Sequence, residues 1–150
     1  MIPPAGPSED IVEAAILRKK MGDDQEAHRL FARVYPALMD DPKVVHEFAQ
    51  TKIGLAERSF HRRDFSTSRR LNEEAVELLH RALQLATDPT REAWLNFDLA
   101  RTLERLREPA TQVEAAFLKA LAIRPDEPRF NEAYRRWRER PQRSERRTRR

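Results

Sequence analysis

The sequence predicts an all-α fold of tandem antiparallel helix pairs, and three observations carry that prediction. First, Ala27-His28-Arg29-Leu30-Phe31, Ala75-Val76-Glu77-Leu78-Leu79 and Val113-Glu114-Ala115-Ala116-Phe117 each set a slim residue four positions before a bulky one. Another slim residue follows three positions later, at Val34, Ala82 and Ala120. Second, an apolar helical stretch with a central alanine (Ala15, Ala56, Ala100) lies upstream of each. Third, only Gly6, Gly22 and Gly54 are glycines, and no run of alternating residues suggests a strand. Helix pairs of this kind bury little core alone and gain stability by stacking. Stacking offers a long surface rather than a catalytic cleft.

The first helix opens at a capping box of Asp10 and Glu13 and carries Ile11, Ala14, Ala15 and Leu17 to about Met21. Gly22-Asp23-Asp24 forms the turn, and a second helix runs from about Asp24 to Tyr35, where Pro36 should end or kink it. Asp41-Pro42 starts a third helix, with aspartate as N-cap and proline in the first turn, and it extends to about Arg62 through Phe48, Ala49, Ile53, Leu55, Ala56 and Phe60. Arg63 to Arg70 reads as a polar connection, so the fourth helix is expected from Leu71 to Ala86. Asp88-Pro89 repeats the start signal for a fifth helix bearing Trp94, Leu95, Leu99, Ala100, Leu103 and Leu106. Glu108-Pro109 turns into a sixth, packed through Val113, Ala116, Phe117, Ala120 and Leu121. Pro125 to Pro128 opens a seventh, with Phe130, Ala133, Tyr134 and Trp137 along one side. The expected organisation is therefore a disordered leader over residues 1–9, a helical repeat domain over 10–140 and a disordered arginine-rich tail over 141–150.

At 39% hydrophobic and 36% charged, the 150 residues suit a thin, surface-rich helical array better than a compact globule. The absence of cysteine excludes disulfides and thiolate chemistry. The N-terminus has neither the basic start nor the apolar run of a secretory signal. No segment reaches the roughly 18 apolar residues of a membrane span, so a soluble, cytoplasmic protein is expected. Residues 135–150 carry nine arginines against Glu139 and Glu145, a net +7, so residues 1–134 carry −3 of the overall +4.

These helix-turn-helix units resemble tetratricopeptide repeats, whose signature runs W-x2-L-G-x2-Y, then A-x3-F, then P. The third unit matches through Leu99-Ala100, Leu103, Val113-x3-Phe117 and Pro125. The first matches through Gly22-Asp23 and Ala27-x3-Phe31; the middle one through Leu55-Ala56, Asp64-Phe65 and Ala75-x3-Leu79, with about seven extra residues in its connection. The central alanines stand 41 and 44 residues apart, against the family's period of about 34. Ile11, Lys52 and Asn96 replace the aromatic that opens the motif, and the seventh helix resembles the capping helix of such arrays.

The resemblance implies an adaptor or scaffold that docks a protein or peptide in a concave groove lined by the first helix of each pair. Helical stepping puts Trp94, Phe97, Arg101 and Arg105 on one stripe of the fifth helix, and Gln50, Ile53, Glu57 and His61 on the third, with Phe60 beside them. On the first helix the stripe is Val12, Ile16, Lys19 and Lys20. Aromatic footholds ringed by basic residues suit a partner with acidic and apolar side chains. Some family members clamp a C-terminal carboxylate with lysine, asparagine and arginine. Lys19, Asn96 and Arg101 have those chemistries, but Glu57 would repel a carboxylate, so that ligand is not expected.

Nothing in the chain reads as an enzyme. No glycine-rich phosphate loop, Gly-x-Ser-x-Gly or His-Glu-x-x-His occurs, and His28, His46, His61 and His80 stand on separate stretches. No catalytic residue, metal site or cofactor is expected. The alternative function is nucleic-acid association, with Arg143, Arg146, Arg147, Arg149 and Arg150 neutralising phosphates and Tyr134 and Trp137 near further arginines. A third arrangement is a homodimer through apolar residues on the outer face of the first unit. Ser66, Thr67 and Ser68 after Arg62-Arg63 match a basophilic kinase pattern, against the default of a serine-rich loop.

Overall fold

The computed structural model describes residues 7–140, and among these every regular element is an α-helix. The helices are α1 (Pro7–Lys20), α2 (Asp24–Leu38), α3 (Pro42–His61), α4 (Phe65–Leu85), α5 (Pro89–Arg105), α6 (Ala110–Ile123) and α7 (Pro128–Glu139). By packing, the chain divides into two units, Met1–Ala86 and Thr87–Arg150. In the first, α1 packs on α2, α2 on α3 and α3 on α4. In the second, α5 packs on α6 and α6 on α7.

Aspartates set most helix starts. Asp23, Asp41, Asp64 and Asp88 each accept a hydrogen bond from a backbone N–H two or three residues ahead, at 3.0–3.2 Å. Pro42, Pro89 and Pro128 sit in first turns, where the missing N–H removes no helix bond.

Helix pairs close through one recurring turn. Gly22, Arg63 and Arg107 have φ of 83°, 64° and 59°. The following N–H groups, of Asp23, Asp64 and Glu108, donate five residues back to Arg18, Ser59 and Leu103 at 2.8–3.0 Å. This is the left-handed helix stop that satisfies orphan carbonyls. The three positions are spaced 41 and 44 residues apart, as the central alanines are. The helix-pair recurrence read from residue spacing is thus repeated in backbone geometry.

Three expected boundaries move. α1 opens at Pro7 rather than Asp10, so Glu9 and Asp10 lie in its first turn, where carboxylates favour the helix dipole. α2 continues through Pro36 to Leu38. That proline sits in the last turn on an exposed side, so the only bond lost is to the carbonyl of exposed Ala32, which water can reach. The largest shift is at α4. Residues 65–70 are helical rather than a polar connection, and only Arg62, Arg63 and Asp64 separate α3 from α4. The seven-residue insertion and the serine-rich loop are therefore absent: Ser68 is buried and its Oγ donates to the Ala56 carbonyl at 2.8 Å. Residues 68, 72 and 75 stand in the middle pair where 27, 31 and 34 stand in the first.

The cores hold the residues that define the pattern. Ala15, Ala27, Phe31, Ala56 and Ala75 are buried in the first unit, and Ala100, Val113, Phe117 and Ala120 in the second. Asn72 occupies the slot of Phe31 and Phe117. It is buried, and its Oδ1 has no hydrogen-bond partner.

Candidate functional site

The expected binding residues fall into two sets, one in each unit. In the first unit, Lys19 crosses from α1 to α3, where its Nζ donates to Glu47 Oε2 and Gln50 Oε1. Gln50 Nε2 lies 3.2 Å from Nε2 of His46, which is buried. The four form a polar seam whose ammonium is neutralised internally. Below it, Arg58 reaches the Gly22 carbonyl and pairs with Asp24 at 3.5 Å. Gly54 makes that fit possible: a Cβ there would stand 2.7 Å from Asp24 Oδ2. Burial holds the Asp24 carboxyl above its ordinary range, with Arg58 and Lys19 opposing the shift.

Beyond the seam the end of α3 is open. Glu57 and His61 are exposed and face each other at 3.8 Å. Phe60 and Phe65 are each 56% exposed and meet edge to face at 5.2 Å. Arg62 and Arg63 follow in the turn, also exposed. This aromatic pair is the largest apolar feature that the α3–α4 turn offers a partner. The sequence signal for Phe65 was the Asp64 cap immediately before it.

A second polar cluster joins three helices of this unit. Lys52 of α3 is buried, with Nζ 3.1 Å from His28 Nε2 on α2 and 3.3 Å from Glu74 Oε1 on α4. It also lies 4.6 Å above the Phe48 ring, which meets Phe31, Tyr35 and His28. The apolar Phe48 face and Glu74 together accommodate a charge that burial alone would make costly. Burial, and then the Lys52 cation, hold the His28 imidazole below its ordinary value of 6.5.

In the second unit the stripe on α5 is largely spent on packing. Phe97 is buried and stacks on Phe130 of α7 at 4.8 Å, while Trp94 meets the same ring edge-on at 4.7 Å. Phe97 also meets Phe117 at 6.4 Å, and Phe117 meets Trp137 at 5.9 Å. Trp94 is half-buried beneath the Arg129 guanidinium at 5.8 Å. What this stripe leaves accessible is cationic: Arg101, whose guanidinium lies 5.7 Å from the Phe97 ring, and exposed Arg105. Glu104 is taken by Arg140 at 2.6 Å. A shallow cavity of about 270 Å³ lies between the start of α6 and the end of α7, lined by Ala110, Thr111, Glu114, Trp137 and Arg138.

Arg143, Arg146, Arg147, Arg149 and Arg150 lie outside the described residues. Among the described residues no helix is long and apolar enough to cross a membrane. The same residues bring no three His, Asp or Glu side chains together as metal ligands. Comparison of the chain with protein-family models and with curated proteins finds no match.

Proposed function

We propose that this protein is a tetratricopeptide-like adaptor that docks a partner protein or peptide on the exposed faces of the first helices of its pairs. The observation that carries this reading is the helix pair closed by the same left-handed turn at Gly22, Arg63 and Arg107. Stacked pairs of this sort have no interior cleft, and their usable surface is the outer face of their helices. In the first unit the contact falls on Glu57, Phe60 and His61 of α3, with Phe65 beside them at the start of α4, and Lys19 and Gln50 brace α1 against α3 behind them. In the second it falls on Arg101 and Arg105, while Trp94 and Phe97 support the surface from the core. Exposed phenylalanines beside arginines select apolar and acidic side chains, the first for burial and the second for charge.

The test is affinity capture with wild type, Phe60→Ser, Arg101→Glu and a variant lacking residues 141–150, at low and high salt, followed by titration of the purified partner. The expected result is a protein retained at high salt with or without the tail, and bound about tenfold more weakly by Phe60→Ser and Arg101→Glu. Nucleic acid that disappears with the tail or with salt would instead make the tail the binding element.

A further inference from the structure

Helices α5 and α7 of the second unit run side by side in the same direction. Arg129 at the start of α7 lies over Trp94 near the start of α5, and Arg140, the C-cap of α7, reaches Glu104 at the end of α5. Helix α6 covers the pair from one side, where its Phe117 meets both Phe97 and Trp137. The opposite side carries arginines in two matched rows. On α5, Arg101 and Arg105 follow Trp94 by seven and eleven residues; on α7, Arg136 and Arg140 follow Arg129 by the same steps. Seven and eleven residues are close to two and three whole turns, so each row is one stripe. The contacts at the two ends set the register: Arg101 stands across from Arg136, and Arg105 across from Arg140. Arg101 is half-buried and the other four arginines are exposed. Arg101 and Arg129 lie over aromatic rings rather than against carboxylates. Arg136 takes Glu132 at 2.8 Å and Arg140 takes Glu104 at 2.6 Å. Asp98, half-buried, is the other carboxylate on this side of α5, so guanidiniums are in excess.

We propose that this groove reads phosphate, and that it takes an extended segment of the partner protein bearing two phosphorylated side chains. The proposal rests on the adaptor reading and names the chemistry of the partner at the second unit. Guanidinium forks are the side chains best matched to phosphate oxygens. A carboxylate of the partner gains little here, because it must displace Glu104 or Glu132 with an equal charge. A phosphate group carries about −1.5 to −2 charges and three acceptor oxygens, so it outcompetes them and accepts from both rows together. The two facing pairs, Arg101 with Arg136 and Arg105 with Arg140, are about 6 Å apart along the helices. Extended backbone sets alternate side chains about 6.6 Å apart on one side, which matches phosphorylated residues at i and i+2. A single-stranded nucleic acid also repeats its phosphates, but its bases need open ring faces on which to stack. Here Arg129 covers Trp94, Phe130 packs against the same ring, and Phe97 is buried.

The experiment is a fluorescence-anisotropy titration of the nuclease-treated full chain into a labelled glycine- and alanine-based peptide carrying phosphoserine-alanine-phosphoserine. The same peptide without phosphate, a version with aspartates in place of the phosphoserines, and an oligothymidylate of equal length are titrated beside it. Far-UV circular dichroism confirms that each variant is folded. The phosphorylated peptide should bind at least about tenfold more tightly than the aspartate version, and deletion of residues 141–150 should leave that preference in place. Arg101→Glu and Arg136→Glu should each weaken the phosphorylated peptide about tenfold, whereas Arg33→Glu, at an exposed position of α2 in the first unit, should leave it unchanged. Equal binding of the aspartate peptide, or a preference that disappears with residues 141–150, would overturn the proposal. So would indifference to Arg136→Glu, or tighter binding of the oligothymidylate. A partner protein captured through Phe60 while the groove ignores phosphate would overturn this proposal and leave the adaptor reading standing.

Discussion

Lys52 carries an ammonium into the interior of the first unit and meets three unlike neighbours there: a carboxylate, an imidazole and an aromatic face. From the sequence this position reads as one of three lost aromatics, with Ile11 and Asn96. The structure shows what the replacements do. Asn96 is buried and donates to the Glu92 carbonyl at 3.0 Å, and Lys52 ties α2 to α4 through α3. His28 bears the consequence. Its folded-state pKa is lowered by burial and by Lys52, so the unfolded chain takes up the proton first as pH falls. The stability this contributes is whole above the ordinary value of 6.5, and is lost as pH drops from there through the folded value. Lys52→Met should move the His28 titration upward while leaving it below its ordinary value, since burial remains. The acid-induced loss of stability should shrink with it. NMR titration of His28 beside unfolding curves over the same pH range checks both. An unshifted His28 in wild type would remove the explanation.

At the scale of the element, the helix pair is defined by its stop as much as by its faces. Gly22 takes the left-handed position at no steric cost, while Arg63 and Arg107 take it against their Cβ atoms. Gly22→Ala should therefore destabilise the protein by about 1 kcal/mol. Arg63→Gly should stabilise it by a smaller amount, because strain is relieved but the unfolded chain gains freedom. Paired urea titrations measure both, and a neutral Gly22→Ala would show that the turn is not under this constraint. The same element explains the misread start of α4. Seven residues make nearly two helical turns, so Ala75, Leu79 and Ala82 lie on the same face as Ser68, Asn72 and Ala75, and all five are buried. The apolar set is the louder signal in the sequence. The set equivalent by turn geometry contains a serine and an asparagine, and only the backbone reveals it. The Asp64 cap was the one local sign, and it resembles the caps at Asp23, Asp41 and Asp88.

At the scale of the whole molecule, the second unit closes by aromatic packing rather than by a charged cap. Phe130 is fully buried between Trp94 and Phe97, and Trp137 lies against Phe117. Phe130→Ala should cost the second unit about 3–5 kcal/mol. Both tryptophans, Trp94 and Trp137, belong to this unit, so tryptophan fluorescence follows it selectively while far-UV circular dichroism follows every helix. The expected outcome is a fluorescence transition moved to lower temperature. An unmoved one would show that α7 does not depend on this ring. The sequence by itself determined the all-α class, the order of the helices, most of their starts and the buried alanines. Those follow from periodicity and from Asp and Asp-Pro caps, which act within a few residues. Only the tertiary structure decided which side of an amphipathic helix is spent on its neighbours. Trp94 and Phe97 were legible as a stripe, yet α7 occupies that stripe. Phe60, Phe65 and Leu17 were legible as apolar, yet no described helix covers them. Burial depends on which distant segment arrives at a face, and helical spacing alone carries no record of that arrival.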